Sequence, residues 1–167
     1  MYKTSILFFI IAGIAFCNSS CEPNISTLSE HAVIDSLVDE WHLDAAQADT
    51  SFFNFLDSNA IYIGTDASER WTKEEFKSFA MPYFKKGKAW DFKPIERKIY
   101  LSGDNYFAWF NETLNTWMGV CRSSGVLEKN NLGEWKLKHY HLSCTVPNDK
   151  VKQFIELINS KDTIKTE

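Results

Sequence analysis

The sequence lacks a strongly basic face, internal repeats and low-complexity segments. Its net charge is −4, and beyond the short run Lys85–Lys88 no basic stripe stands out. Proteins that bind nucleic acid usually present a positive patch, so nucleic acid is not expected as a partner. Without repeats, the 167 residues have the length of one domain with short extensions.

A long apolar run is missing as well. The uncharged run at residues 6–16 is shorter than the about 20 residues that a membrane-spanning helix needs. It follows Lys3 and leads through small residues to Cys21, which is the composition of an export signal. The pattern resembles a bacterial lipoprotein signal, which implies a lipid on Cys21 and a bacterial membrane as the site of attachment. A periplasmic or secreted protein and a retained anchor are the alternatives, and all three place the domain outside the cytoplasm.

Cysteine is scarce in the part of the chain that would fold. If Cys17 is removed with the signal and Cys21 is lipidated, only Cys121 and Cys144 remain. In an oxidising compartment this pair can form one disulfide. Two small apolar thiols are an equally ordinary arrangement, so the sequence leaves both interpretations open.

Aromatic residues, in contrast, are abundant. The chain contains 13 Phe, 6 Trp and 6 Tyr. Aromatic side chains bury large apolar areas and are also common in ligand pockets. The composition therefore predicts a large core with enough rings left to line a cavity.

Hydrophobic periodicity predicts helices at both ends of the domain and strands between them. A first helix begins at the candidate capping box Thr27–Glu30, a short one follows at 50–56, and a third begins at the capping box Thr72–Glu75. The predicted strands are residues 60–63, 90–101, 106–116, 120–129 and 134–145, and Asn148 begins a last helix. Helices first and an antiparallel meander last indicate an α+β fold.

The last predicted strand carries two histidines. With strict alternation, Trp135, Leu137, His139, His141 and Ser143 share one face. That face begins apolar and ends polar, as expected of a strand that leaves a core and enters a pocket.

The order of elements resembles the SnoaL-like division of the nuclear transport factor 2-like superfamily. The matching segments are Ile63–Asp66, Glu69–Trp71, Gly125–Leu127 and the closing strand Gly133–Ser143. The resemblance implies a cone, in which a strongly curved antiparallel sheet wraps around N-terminal helices and leaves a pocket between them. It also implies a homodimer that forms through the sheet.

The implied domain boundaries follow from this resemblance. They are a signal at 1–21, a tether at 22–27, the SnoaL-like domain at 28–147, and a C-terminal helix with a polar tail at 148–167. The family has many functions, so fold alone does not select one. Its isomerases use a pocket aspartate near the position of Gly64, and the nearest carboxylate here, Asp66, lies two residues on. Their catalysis is therefore not carried over, catalysis stays undecided, and no cofactor is expected.

The residues themselves suggest a binding site. A register that pairs Lys129 with Glu134 sets Ser124 opposite His139 and Arg122 opposite His141, and these four side chains would form a polar pocket end. An arginine there can bind a carboxylate or an oxyanion. The predicted ligand-binding residues are Arg122, Ser124, His139, His141, Tyr62 and Trp109, with the two aromatic residues as stacking surfaces.

Each candidate also has a plain structural interpretation. His139, His141 and Asp66 are weak catalytic candidates, since a histidine can act as an acid or base near neutral pH. The histidines can equally be hydrogen-bonded in a pocket wall, and Asp66 can cap a turn. A metal is not expected, because the only other histidines, His31 and His42, lie on the first helix and a metal needs a third ligand.

Two hypotheses remain. In the first, an exported domain binds a small, mainly apolar molecule that carries one anionic or carbonyl group. In the second, a non-catalytic domain, held at the membrane by lipid, dimerises and binds a protein partner. An unfilled cavity that reaches Arg122 and His141 would favour the first, and a filled cone the second.

Overall fold

The computed structural model describes residues 29–160, which form helices, one sheet and a final short helix. The predicted signal, Cys21 and the predicted tether lie outside these residues. The helices are α1 (Glu30–Gln47), α2 (Phe52–Phe55), α3 (Lys73–Phe84) and α4 (Val151–Asn159), the last preceded by a short turn of helix at Asn148–Lys150. The strands are β1 (Leu56–Ile63), β2 (Arg70–Thr72), β3 (Lys93–Leu101), β4 (Phe107–Thr116), β5 (Gly119–Lys129) and β6 (Trp135–Cys144).

The six strands form one curved sheet in the order β2-β1-β6-β5-β4-β3. The predicted α+β fold is confirmed, with the N-terminal helices against the sheet and a helix at the C-terminal end. One pairing differs from the expected antiparallel arrangement, because β1 runs parallel to β6. The two strands lie far apart in sequence, so no hairpin turn constrains their relative direction.

Local capping signals place two of the helices. The predicted capping box of α3 is confirmed: Thr72 caps the amide of Glu75, and the Glu75 carboxylate accepts from the Thr72 amide at 2.8 Å. For α1 the cap is the Ser29 hydroxyl, which accepts from Ala32 N at 3.3 Å. Thr27, the predicted cap, lies outside the described residues.

The core fills the concave side of the sheet. One face of α1 contributes Ile34, Val38, Trp41 and Ala45, all buried. Strand β6 contributes Tyr140, which lies edge-on to the Trp41 ring at 4.8 Å between centroids. The centre of the cone is therefore filled with side chains.

A bulge in β6 changes which of its side chains point inward. Leu137 pairs with Leu127, but the next pair is His139 with Val126, so Lys138 is the extra residue. Trp135 and Leu137 are buried before the bulge, and Tyr140 and Leu142 after it. The predicted single face Trp135–Ser143 is therefore wrong beyond Leu137.

The predicted register of β5 and β6 is also wrong. Arg122 lies opposite Ser143 and Ser124 opposite His141, a shift of two residues from the expected pairs, and Lys129 pairs with Trp135. The length of the hairpin turn alone does not show where the β5–β6 ladder begins. It also does not show the bulge, which shifts every later pair.

The two cysteines lie directly opposite each other on β5 and β6. Both are free thiols, with Sγ atoms 3.9 Å apart.

At the end of the described residues, α4 forms as predicted, but its apolar residues Phe154, Ile155 and Ile158 are exposed. Within residues 29–160, no helix is both long and apolar enough to cross a membrane.

Candidate functional site

The polar residues predicted to form a pocket lie instead on the outer, convex face of the sheet. Arg122, Ser124 and His141 are exposed, and they alternate with the buried Cys121 and Ser123. With Asn111 and Ser143 they line a depression of about 210 Å³. Arg122, Ser124 and His141 therefore lie close together, as predicted. The prediction that they lie inside the cone is wrong.

The two histidines do not form a catalytic pair. His139 is half-buried beside Ile61 of β1, while His141 points to solvent and its Nε2 lies 3.1 Å from the Ser143 hydroxyl. Burial, and secondarily the charges of His141 and Arg70, lower the pKa of His139. In the described part of the chain, no three His, Cys, Asp or Glu residues come together as metal ligands.

Two further candidates also lie outside the cone. The Asp66 carboxylate accepts hydrogen bonds from the hydroxyl and the amide of Ser68, the latter at 2.8 Å, and these bonds lower the pKa of Asp66. Asp66 therefore caps a turn, which was the predicted alternative to a catalytic role. Trp109 is on the outer face, where its ring stacks on Tyr100 with 5.7 Å between centroids. Of the predicted aromatic residues, Tyr62 is the one that reaches a cavity.

A polar cluster that the sequence did not reveal lies inside the cone. Arg97, Glu112 and Ser123 are cross-strand partners on β3, β4 and β5, and His42 reaches them from α1. Glu112 accepts from Ser123 Oγ at 2.7 Å and from Arg97 Nε at 2.8 Å, and its Oε1 lies 2.8 Å from His42 Nε2. We call these four residues the interior cluster.

Electrostatics keeps Glu112 ionised in this buried position. Burial alone would raise the pKa of its carboxyl group. The hydrogen bond from His42, attraction to His42 and Arg97, and the bond from Ser123 together outweigh burial, so the pKa lies below its ordinary value. Glu112 keeps the alternation of the apolar residues Ala108, Phe110 and Leu114, which are all buried. This alternation is the sequence signal that could have placed Glu112 on the inner face.

The interior cluster also connects α1 to the sheet through hydrogen bonds. Nη1 of Arg97 donates to Asp35 Oδ1 at 2.7 Å and to Asp39 Oδ1 at 2.8 Å, both on α1. Glu112 and Ser123 are almost fully buried, at 2% and 1% exposure. Glu112 contacts the other three members of the cluster, so the cluster links α1 with β3, β4 and β5.

A cavity of about 140 Å³ opens between α3 and the end of the sheet where β6 finishes. Seven of its lining residues are aromatic. We call it the mouth cavity, and define it by Tyr62, Glu69, Trp71, Phe79, Trp90 and Trp117. These side chains come from β1, β2, α3 and three connecting segments, so the fold gathers them from distant parts of the sequence.

Ring packing gives the mouth cavity a firm floor and a more open rim. Tyr62 is buried, and its ring stacks on Phe76 of α3 with 3.7 Å between centroids. Nearer the surface, Trp71 stacks on Phe79 at 4.7 Å. Trp117, in the turn between β4 and β5, is 82% exposed. Such a site combines fixed apolar walls with a side chain that is free to adjust.

Glu69 is the charged residue of the mouth cavity. Its backbone closes the turn after β1, where Gly64 N donates to Glu69 O at 2.9 Å, and its Oε2 accepts from Asp66 N at 3.1 Å. A side chain at Gly64 would overlap this carboxylate, so glycine leaves room for the Glu69 side chain in its present position. Burial, with the nearby Glu69 charge, raises the pKa of Tyr62. Chemically, the arrangement offers apolar walls and one negative charge.

A larger groove, of about 330 Å³, lies at the opposite end of β6. It is lined by α1, α2 and the start of β6, including Glu40, Glu134 and Lys136. Charges of both signs at its edges give no consistent preference for a ligand. The mouth cavity is the better candidate, because apolar walls and one polar group converge there.

The sequence of residues 34–147 matches the model of a protein family described as the SnoaL-like domain. The chain belongs to this family. No curated protein sequence matches it. The superfamily assignment made from the sequence is therefore confirmed.

Solved structures resemble this SnoaL-like domain in fold. A nuclear transport factor 2-like protein of unknown function from Pseudomonas putida is 11% identical, with a TM-score of 0.60 over 72% of this chain and 89% of that one. One from Cytophaga hutchinsonii is 15% identical, with a TM-score of 0.58 over 71% and 100%. A protein from Parabacteroides distasonis, provisionally named a ketosteroid isomerase, is 18% identical, with 0.58 over 75% and 96%. At these identities the likeness establishes the fold alone.

The resemblance to the family's isomerases implied a pocket aspartate near the position of Gly64 in this SnoaL-like domain. Gly64 has no side chain, and the Glu69 carboxylate occupies the space into which a side chain at Gly64 would project. A carboxylate is therefore present at this place in the cone, but it comes from the far side of the turn. Asp66 was the predicted candidate carboxylate, and Glu69 was not among the predicted site residues. The conformation of this turn decides which of the two carboxylates points inward.

Proposed function

We propose that this SnoaL-like domain binds a small, mainly apolar molecule in the mouth cavity. The observation that carries the proposal is the convergence of Trp71, Phe79, Trp90 and Trp117 around one opening with a single carboxylate, Glu69. Ligand sites are typically concave, mostly apolar, and provided with a few polar groups that fix orientation.

The size of the cavity limits the ligand. Its about 140 Å³ is below the roughly 300–1,000 Å³ typical of sites for drug-sized molecules. The proposed ligand is therefore a small molecule, or one end of a larger molecule whose remainder stays in solvent. Arg122 and His141 lie on the other face of the sheet, so they do not support the anionic group that the sequence suggested.

Binding, rather than a named reaction, is the extent of this proposal. General acid–base catalysis needs groups placed to take and return a proton. Among the described lining residues, Glu69 alone is charged. In the interior cluster, Glu112 and Ser123 are buried and hydrogen-bonded to each other. These observations support a binding site with one orienting group.

Titration with indole, a neutral flat probe, tests the proposal. We expect saturable binding to the protein, followed by nuclear magnetic resonance, and at least about tenfold weaker binding to Trp71→Ala and Phe79→Ala, since each removes ring contact. Trp109→Ala is the matched control, because it removes an exposed ring from the outer face. Equal affinity of all four proteins, or no saturable binding, would overturn the proposal.

Location is a second part of the proposal. The signal pattern that ends at Cys21 supports export and attachment to a bacterial membrane through lipid. Metabolic labelling with palmitate should mark the full chain, and Cys21→Ser should abolish the label. An exported but unlabelled wild-type chain would indicate ordinary secretion instead.

A dimerising interaction module is the second candidate function. Tyr100, Trp109 and Val126 are consecutive cross-strand partners on the outer face, and all three are exposed. A contiguous apolar patch of this kind often marks an interface, and the filled cone centre agrees with this function. Sedimentation equilibrium should give a dimer that Trp109→Asp dissociates. Leu132→Asp, in an exposed hairpin turn, is the control that should leave the mass unchanged.

A further inference from the structure

The charge and the walls of the mouth cavity restrict the class of molecule that fits it. Among the described residues that line it, aromatic rings predominate and Glu69 carries the only charge. Lysine and arginine are absent from this lining set, so an anionic group would meet a carboxylate without a compensating cation. The cavity therefore favours a neutral or a positive group.

Aromatic faces attract cations. The ring quadrupole is negative over the face, so a cation within about 6 Å of the centroid is attracted, most strongly when it is desolvated and over tryptophan. Three of the lining residues, Trp71, Trp90 and Trp117, are tryptophans. A cation in the mouth cavity would thus lie near rings of the most favourable type.

Glu69 adds a full negative charge that is already oriented. Its Oε2 is held by the Asp66 amide at 3.1 Å, while its Oε1 takes no hydrogen bond from the described residues. The absence of a side chain at Gly64 leaves this carboxylate the space it occupies. A cation can therefore bind without reorganising the charge that attracts it.

From these observations we infer that the mouth cavity binds an alkylated ammonium group, such as trimethylammonium, an inference that rests on the proposed function. Methyl groups give this cation an apolar surface that suits the ring walls, and its charge suits Glu69. The small volume fits such a group as the whole ligand or as the end of a longer molecule. The same group occurs in soluble molecules and in lipid headgroups, so the test includes both sources.

The test compares choline with its neutral isostere, in which a tert-butyl group replaces the trimethylammonium group. Both probes have the same shape, so their affinities differ through charge alone. For the full chain, calorimetry should give about tenfold tighter binding of choline. Glu69→Gln, which keeps an acceptor for the Asp66 amide, should remove most of this preference and leave the isostere's affinity unchanged. Glu96→Gln, an exposed carboxylate on β3, is the control that should keep the preference.

The outcomes separate the inference from the proposed function. Equal binding of choline and isostere, or a preference that Glu69→Gln leaves intact, would overturn the inference while indole binding still supported the proposed function. Loss of indole binding as well would remove both. Co-sedimentation with phosphatidylcholine vesicles, but not with phosphatidylglycerol vesicles, would assign the group to a lipid. Choline binding without co-sedimentation would assign it to a soluble molecule.

Discussion

Nε2 of His42 lies 2.8 Å from Oε1 of Glu112, and both side chains are buried. This contact joins the C-terminal half of α1 to the middle of β4, across 70 residues of sequence. A buried charge is tolerated only where partners replace its lost hydration. His42, Arg97 and Ser123 together supply those partners for Glu112.

The first prediction concerns the stability that Glu112 provides. Glu112→Gln removes the negative charge and leaves the Arg97 guanidinium buried beside a neutral amide, so the free energy of unfolding should fall by about 3 kcal/mol. Urea denaturation followed by circular dichroism measures the change. Glu96→Gln, whose partner Lys98 is exposed, should change stability by less than about 0.5 kcal/mol. Equal effects of the two variants would contradict a stabilising role for the interior cluster.

A second prediction follows from the pKa of Glu112. Because folding lowers this pKa from an ordinary value of 4.5, the carboxylate stabilises the fold above that value. The contribution is lost as the pH falls through the lower pKa of the folded state. The difference in stability between wild type and Glu112→Gln should therefore be full near neutral pH and shrink below about pH 4. A difference that stays constant down to pH 3 would be inconsistent with this linkage.

The third prediction concerns close packing on the inner face of β5. A side chain at Gly125 would overlap the Phe110 ring and lie 3.1 Å from Leu137 Cδ1. Gly125→Ala should thus destabilise the protein by about 1–3 kcal/mol through overpacking. Gly103→Ala is a matched control, since nothing lies within 4 Å of the added methyl group. Thermal unfolding of both variants measures the contrast, and similar melting temperatures would argue against the described packing.

A fourth prediction separates the two faces of the sheet. Arg122→Ala and His141→Ala alter exposed residues of the outer depression, and should leave the affinity of the mouth cavity for indole within about twofold of wild type. Trp71→Ala should weaken it by at least about tenfold. If Arg122→Ala weakened binding as much as Trp71→Ala, the ligand site would have to be moved to the outer face.

Local chemistry made much of the fold predictable. The capping box at Thr72 and the apolar alternation of β4 are signals carried by neighbouring residues, and both features form as expected. The parallel pairing of β1 with β6 was not predictable in this way, because it joins segments without a connecting turn. Such pairings depend on the packing of the whole sheet.

The candidate site was harder to predict, for a specific reason. The pattern of β6 changes phase at Lys138, from inward Leu137 to inward Tyr140. Histidine and tyrosine both tolerate buried and exposed positions, so the sequence did not decide between a straight strand and a bulged one. A single extra residue then turned His139 and His141 to the outer face. Glu69 was missed because its orientation depends on a turn.

The most direct measurement locates a bound probe by nuclear Overhauser effects. With the neutral isostere of choline at saturation, the tert-butyl protons should show contacts to Trp71 and Phe79. Their signal is a single line, and the experiment does not depend on charge. The mouth cavity as binding site predicts these contacts and none to Trp109 or Tyr100. Contacts to the outer-face rings alone, or no contacts at saturation, would contradict it.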